Sequence, residues 1–345
     1  MTEQDLSARL ATPHTLDAAE LASWERLCAT VPALASPFLT PHYARAAAAS
    51  GADVRVCIIA RDGQPCGFLP FQLPDRLSRL LGSAEPVGGA MTDYVGLVAD
   101  PALRLDPARL LRLAGLNHFD FSHLDQTQLG YGLAGEQPRV GLRIRLERDS
   151  AQPLETLLAD KHKYRKDTER RARQLAKEIG PIAFVLDVEH DRQAVLHQLV
   201  SHKRGQYRRT QAPDALADGR KTRLLTELSG YRFDGCRGLL STLSAGGAWV
   251  AMHFGIVGNG ILQYWLPVYN PAFSKYAPGR LLMHEIIGAG HAAGIHTIDR
   301  GEGDTPSKRE LANEEHAYLR GAWHNQSLSS GLARAVHSIQ WRLGA

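Results

Sequence analysis

The sequence predicts an α/β (α+β) chain of two related units, each a mixed, mostly antiparallel sheet flanked by helices, with a basic helix joining them. Three observations lead there. At 345 residues the chain exceeds the usual size of one core, and its 44% hydrophobic residues are enough to bury two. Each half carries two strand-like runs around a tight turn, Arg61-Asp62-Gly63-Gln64 in the first and Gly258-Asn259-Gly260 in the second, built from residues that tolerate positive φ. Between the halves lies a stretch dense in lysine and arginine that reads as a helix.

The first unit, 1–150, opens with helices over 17–28 and 41–50. It continues with hairpin strands 54–60 and 66–72, a strand over 94–99, a helix over 106–116 capped by Asp106, and a strand over 119–124. The linking segment, 151–180, holds Lys161, Lys163, Arg165, Lys166, Arg170, Arg171, Arg173 and Lys177 with acids among them. Its consistent apolar stripe is Ala172, Leu175, Ala176 and Ile179, so its N-terminal part is expected to bridge the units rather than enter a core. Such a run is either a solvated face or a basic wall toward an anion.

The second unit, 181–330, starts with a strand over 182–188 and a helix over 191–209 that Asp191 caps. The basic stretch 206–213, QYRRTQAP, reads as a loop, either mobile over a site or plain surface; a helix over 222–229 follows. Strands over 238–243, 248–257 and 261–268 then form a meander like that of the first half. Pro278-Gly279 opens a helix with Leu282, Ile286, Ala289 and Ala293 on one face, Gly294 closes it, and Thr297-Ile298-Asp299 returns to the sheet. A tail helix is expected over 331–345.

A helix whose N-terminus faces the end of a sheet offers unpaired N–H groups and a positive dipole end, which suits a pyrophosphate. The residues around that helix, Trp265, Tyr269, Tyr276-x-Pro278-Gly279-x-Leu281-Leu282, Gly294, Asp299, Gly301-x-Gly303-Asp304 and Lys308, resemble the cofactor half of the Gcn5-related N-acyltransferase (GNAT) fold. The closer likeness is to the acetyltransferase family of the CelD type, associated with cellulose biosynthesis. Ser36-Pro37-Phe38-x-x-Pro41, Thr92-Asp93-Tyr94 and the Arg-rich run 164–173 extend it over most of the chain. Two departures stand out: Ser307 replaces the aromatic residue common before the final lysine, and Ala277 replaces a serine before the Pro-Gly pair.

The resemblance implies tandem GNAT-like domains and an acyltransferase that takes acetyl-CoA or another acyl-CoA as cosubstrate, with no metal. The acceptor is an amine or hydroxyl of a small molecule, a sugar or an envelope or polysaccharide precursor. The basic wall would then face a nucleotide-linked sugar or the 3′-phosphate of coenzyme A. The first unit has no Pro-Gly-capped helix after its hairpin and is expected to have lost the cofactor site.

Thioester acyl transfer needs a base for the acceptor, donors for the carbonyl oxyanion and an acid for the thiolate. Glu302 and Asp304, which Gly301 and Gly303 let bend toward the strand end, are the first candidates for the base. His253 is another, although a lone histidine in an apolar strand is commonly a core residue. Tyr264 is a candidate acid or a packing residue. Leu266, Val268, Tyr276, Gly279, Arg280 and Leu281 are expected at the cofactor, the last three as donors to the pyrophosphate. Asp299, Tyr269 and Lys308 are expected at the substrate, with a loop-capping role equally open for Asp299. Pro267 either ends its strand or bends it and frees backbone donors.

Composition narrows the partners. An excess of four basic side chains does not argue for DNA. Cys28, Cys57, Cys66 and Cys236 show neither a disulfide nor a zinc spacing, which points to a reducing cytoplasm. No apolar run reaches the roughly 20 residues of a membrane span. Two alternatives remain at this stage: a Fem-type transferase that uses aminoacyl-tRNA, and a non-catalytic binding subunit of a polysaccharide-synthesis assembly.

Overall fold

The computed structural model describes residues 6–325, so the expected tail helix lies outside the described residues. Contacts divide the chain into two compact units: one ends at Val140 and takes the chain back from Ala317, and the other runs Gly141–His316. Strand by strand the elements are β1 Leu6–Ala11, α1 Ala18–Thr30, α2 Pro41–Ala49, β2 Val54–Arg61, β3 Gln64–Gln72, α3 Arg76–Leu81, β4 Ser83–Ala84, β5 Val98–Ala99, α4 Pro107–Leu113, β6 His118–Asp125 and β7 Gln137–Arg145. There follow α5 Pro153–Leu157, α6 His162–Glu178, β8 Ile182–Val185, α7 Arg192–Thr210, α8 Gly219–Gly230, β9 Arg232–Phe233, β10 Cys236–Ala245, β11 Ala248–Gly258, β12 Ile261–Tyr269, α9 Pro278–Ala292, β13 Thr297–Glu302, α10 Pro306–Arg309 and β14 Glu314–His324. The α/β class therefore holds, with sheets flanked by helices.

In the first unit β1, β2, β3 and β5 form a four-stranded sheet. Asp62 and Gly63 both take positive φ, as the hairpin turn demands, and Arg61 pairs with Gln64 across it. Trp24 on α1 stacks on Phe68 at 5.1 Å and donates its indole N–H to Leu39 O at 2.8 Å, so a large apolar ring is buried with its one polar atom satisfied. α1 starts in a capping box, Asp17 accepting from Glu20 N at 2.8 Å and Glu20 accepting from Asp17 N at 3.1 Å. The strand expected over 94–99 shrinks to its last two residues, because Gln128 holds the backbone of Leu97 with its side-chain amide instead of a ladder partner.

In the second unit the strand order is β7, β13, β12, β11, β10, β8, antiparallel throughout except for the parallel pair β12 and β13. Asn259 and Gly260 take positive φ at the β11–β12 turn, as their sequence requires. Leu282 and Ile286 of α9 meet Leu239, Val257, Leu262 and Ile298 in one buried cluster, each side chain worth roughly 1.5–3 kcal/mol on burial. α6 belongs to this unit. Leu175 is fully buried in the core, Ala172 and Tyr164 pack against it, and the N-terminal half of the helix thus meets a core where a bridge was expected. The loop expected over 206–213 is helical as far as Thr210, since α7 runs three turns past Leu199 before Gln211 ends it in the left-handed region. Asp191 makes no side-chain cap; it takes a positive φ before the helix. Among the described residues no helix is long and apolar enough to cross a membrane, and no cluster of three metal-ligating side chains occurs.

Candidate active site

β12 and β13 pair only over Ile261 with Thr297, Leu262 with Ile298 and Gln263 with Asp299, and then part. On its other side β12 slips against β11 between Phe254 and Ile256, so that Tyr264 and Trp265 together oppose Gly255. A Cβ on Gly255 would sit 2.3 Å from Gln263 O and 2.7 Å from the His253 ring, so glycine is what lets the bulge close here. The bulge and the parting strands leave backbone of β12 without a neighbour, and a cavity of about 620 Å³ opens beside it.

The start of α9 forms one wall of this cavity through Ala277, Pro278, Gly279 and Arg280. Ala277 sits at φ 54, a left-handed conformation uncommon for a residue with a Cβ, and supplies no side-chain cap. Pro278 has no N–H, and Arg280 N and Leu281 N donate to Ala277 O at 2.9 and 3.2 Å, so of the three backbone donors expected at the pyrophosphate only the Gly279 amide is left open. Gly279 is exposed, and nothing lies within 4 Å of where its Cβ would be. The turn before the helix, Pro271–Tyr276, is anchored from α6: Glu178 accepts from Tyr276 Oη at 2.5 Å and from Lys275 Nζ at 2.7 Å. These donors hold the Glu178 carboxyl well below the usual range.

Of the residues expected at the cofactor, Val268, Gly279 and Arg280 line the cavity, while Leu266, Leu281 and Tyr276 are buried behind it and do not. The Arg280 guanidinium is already engaged: it donates to Asp167 at 3.0 Å and to Glu310 at 2.7 Å, and lies 4.4 Å over the Tyr164 ring. Tyr269 lines the rim and is 44% exposed. Asp299 is buried, accepting from Arg143 Nε at 2.8 Å and from Gly301 N at 2.8 Å, which is the loop-capping role. Lys308 Nζ donates to Glu302 O at 2.6 Å and so braces the same loop.

The candidates for the base are not brought together. Asp304 is exposed and held by Arg309 at 2.5 and 2.8 Å, which keeps its carboxyl below the ordinary range; neither it nor Glu302 lines the cavity. The glycines let this loop curl toward Lys308 and Arg309, not toward the cleft. His253 is fully buried and stacks on Tyr264 with ring centroids 4.2 Å apart. Neither ring nitrogen has a hydrogen-bond partner, and burial, then the Lys203 charge, pushes the imidazole down to about 3. His253 is thus a neutral prop beneath Tyr264, which does line the cavity and whose phenol burial pushes up.

This has a consequence for stability. A histidine whose folded value lies below its ordinary 6.5 binds a proton in the unfolded chain first, so its contribution is complete above pH 6.5 and is lost as pH falls toward about 3, at no more than about 1.4 kcal/mol per pH unit. His253→Phe keeps a stacking ring and removes the titration. Urea melts at pH 7 and pH 5 are expected to differ less in this variant than in the parent; an unchanged gap would assign the acid sensitivity elsewhere.

Sequence reasoning missed Lys203 and Gln206 on α7, Arg300 on β13, Tyr164 on α6 and Glu310, all of which line the cavity. Lys203 is 9% exposed and donates to Pro267 O at 2.8 Å, with no carboxylate partner among the described residues. Burial pushes its ammonium down to about 8. The signals were present: Lys203 continues the buried stripe of Leu196, Leu199 and Val200, and Arg300 follows Ile298 by two on a strand.

A parted parallel strand pair, a bulge on β12 and an uncapped helix start fall within residues 162–309, and those residues match the family model described as an acetyltransferase (GNAT) domain. The second unit carries a GNAT acyltransferase domain. No curated protein matches the chain in sequence. Among solved structures, FemX is similar with a TM-score of 0.59 and 11% identity over 92% of this chain and 98% of its own. The C-terminal domain of a putative lysylphosphatidylglycerol synthetase from Agrobacterium fabrum follows at 0.53 and 12%, covering 93% of this chain and 95% of its own. A conserved protein of unknown function from Bacteroides thetaiotaomicron scores 0.53 at 10%, over 87% of this chain and 97% of its own. At such identities the likeness is one of fold.

Proposed function

We propose that the chain moves the acyl group of an acyl-CoA, acetyl by default, to an amine or hydroxyl of a small acceptor, in the polysaccharide or envelope-precursor chemistry that the CelD-type resemblance implies. The observation that carries this reading is the open first turn of α9 at the cavity between the parted strands. The unbonded Gly279 amide and the positive dipole end suit a diphosphate, and the absence of a side chain at Gly279 lets one approach without a clash. From there a pantetheine arm runs along β12 past Val268 toward Tyr264.

At that point the acceptor's lone pair attacks the thioester carbonyl, the C–S bond breaks, and the thiolate takes a proton from the Tyr264 hydroxyl. The acceptor's proton passes to the unprotonated fraction of Lys203, the cavity amine that burial pushes down to about 8. Backbone N–H groups at the β12 bulge face the developing oxyanion.

The test is thermal stabilisation of the full chain by acetyl-CoA, longer acyl-CoA species, free CoA and a mixture of aminoacyl-tRNAs. Saturation at 100 times Kd is expected to stabilise by about 2.7 kcal/mol with the thioesters. Stabilisation by aminoacyl-tRNA alone, lost with added salt, would replace the donor by the Fem-type one; no stabilisation by any donor would leave only a binding subunit.

A further inference from the structure

Arg300 stands on β13 one residue beyond its last pairing with β12 and lines the cavity. Its Nη1 donates to Ser307 O at 2.8 Å and Lys308 O at 3.2 Å. The remaining edge of the guanidinium is unused: Nε is buried without an acceptor, and Nη2 has none among the described residues. Among the described residues no carboxylate lies within ion-pair distance of it, and Glu310 acts on it only from further off. Glu310, the acid on the cavity wall, is bonded to Arg280, and Asp299, its neighbour in sequence, is bonded to Arg143. A buried donor left unmade costs about 1–3 kcal/mol, more for a charged group, so such an edge persists where something else fills it.

The unfilled Nε–Nη2 edge is the side of a guanidinium that receives a planar carboxylate through two parallel hydrogen bonds. Two backbone carbonyls fix Nη1, so the fork is held in place before any ligand arrives, which lowers the entropy cost of the contact. Lys203 adds a second cation without a carboxylate on the same cavity. With Lys203, Arg280 and Arg300 against Glu310, the lining keeps an excess of positive charge that favours an anion.

Resting on the acyl-transfer reading, we infer that the acceptor carries a carboxylate beside its nucleophilic amine, in the manner of an amino acid, and that Arg300 holds that carboxylate. A phosphate would present a tetrahedral face that matches the planar edge less well.

The experiment uses the full chain and two separate readouts: calorimetric binding of the proteinogenic L-amino acids and of their α-carboxamides, and thermal stabilisation by acetyl-CoA. At least one amino acid is expected to bind about 10- to 100-fold more tightly than its carboxamide. Arg300→Gln should erase that preference, and Arg300→Lys should restore part of it, while both variants keep the acetyl-CoA shift and so report an intact fold. A preference unchanged in Arg300→Gln, equal binding of acid and amide, or no amino acid bound overturns the inference. Loss of the acetyl-CoA shift in both variants, with their melting temperatures unaltered, overturns it too, by placing Arg300 at the donor's phosphates. Absence of that shift in the parent condemns the donor reading instead, and the carboxylate comparison still decides the role of Arg300.

Discussion

Gly279→Glu is expected to abolish acyl-CoA binding while leaving the fold as stable as before. The position tolerates a side chain: Gly279 has no positive φ, it is exposed, and no heavy atom lies within 4 Å of its would-be Cβ. A carboxylate in the first turn of a helix is favourable by about 0.3–1 kcal/mol, so melting without ligand should be unchanged or slightly raised. The same carboxylate then crowds the open Gly279 amide and the positive helix end that a diphosphate would use, and repels it. A 100-fold weaker Kd turns the 2.7 kcal/mol expected for the parent into about 0.4 kcal/mol at the same ligand concentration. Gly279→Ala serves as the companion, since a methyl group fits the open space and adds no charge; it should bind acyl-CoA nearly as the parent does. Undiminished binding by the glutamate variant would move the diphosphate away from α9 and take the proposed orientation of the donor with it.

How far the sequence carries this site depends on the kind of signal. Turn chemistry was plain: Asp62-Gly63 and Asn259-Gly260 can only be tight turns between apolar runs, and both take positive φ. The Pro278-Gly279 start of α9 was equally legible, because Pro fits the first helical position and a glycine beside it leaves the helix end open. Where one side chain's role depends on partners distant in sequence, the sequence alone does not show what holds it. Asp304 and Glu302 looked free beside two glycines, yet Arg309 and Lys308, a few residues on, draw their loop away from the cavity. Arg280 reads from sequence as a phosphate ligand, while in the structure Asp167 and Glu310 already accept from its guanidinium. The apolar stripe of the basic helix was legible from Ala172 and Leu175 onward, while Tyr164, two turns before it among charged residues, packs on the same core without a periodic signal.

The cavity residues that were missed share a property. Lys203 and Arg300 occupy positions that periodicity assigns to the interior, one on the buried stripe of α7 and the other on the inward face of β13. A cation at such a position breaks the local pattern, and breaks of this sort concentrate where function is kept at the expense of stability. Apolar reasoning passes over them, since it searches interior positions for hydrophobes and exposed ones for chemistry.

Lys203→Met puts that trade to a direct test. The Lys203 ammonium is pushed from 10.5 down to about 8 by burial. Between those values the unfolded chain binds more protons than the folded one, so the parent gains stability as pH rises from about 8 toward 10.5 and carries the full burden below pH 8. Methionine has a similar length and no charge, and at pH 7 it is expected to raise stability by up to about 3 kcal/mol, less whatever the lost bond to Pro267 O contributes. If Lys203 accepts the acceptor's proton, the same change lowers kcat by about 10²–10⁴. In the parent, kcat should climb through pH 8, where the free amine appears, and level off above it; in the variant the residual rate should lose this inflection. Acyl-CoA binding is measured alongside, because an amine that merely grips the donor would alter Kd and leave the pH profile in place. A variant that is more stable and fully active would show the buried charge to have no part in the chemistry, and the base would then have to be sought outside the cavity wall.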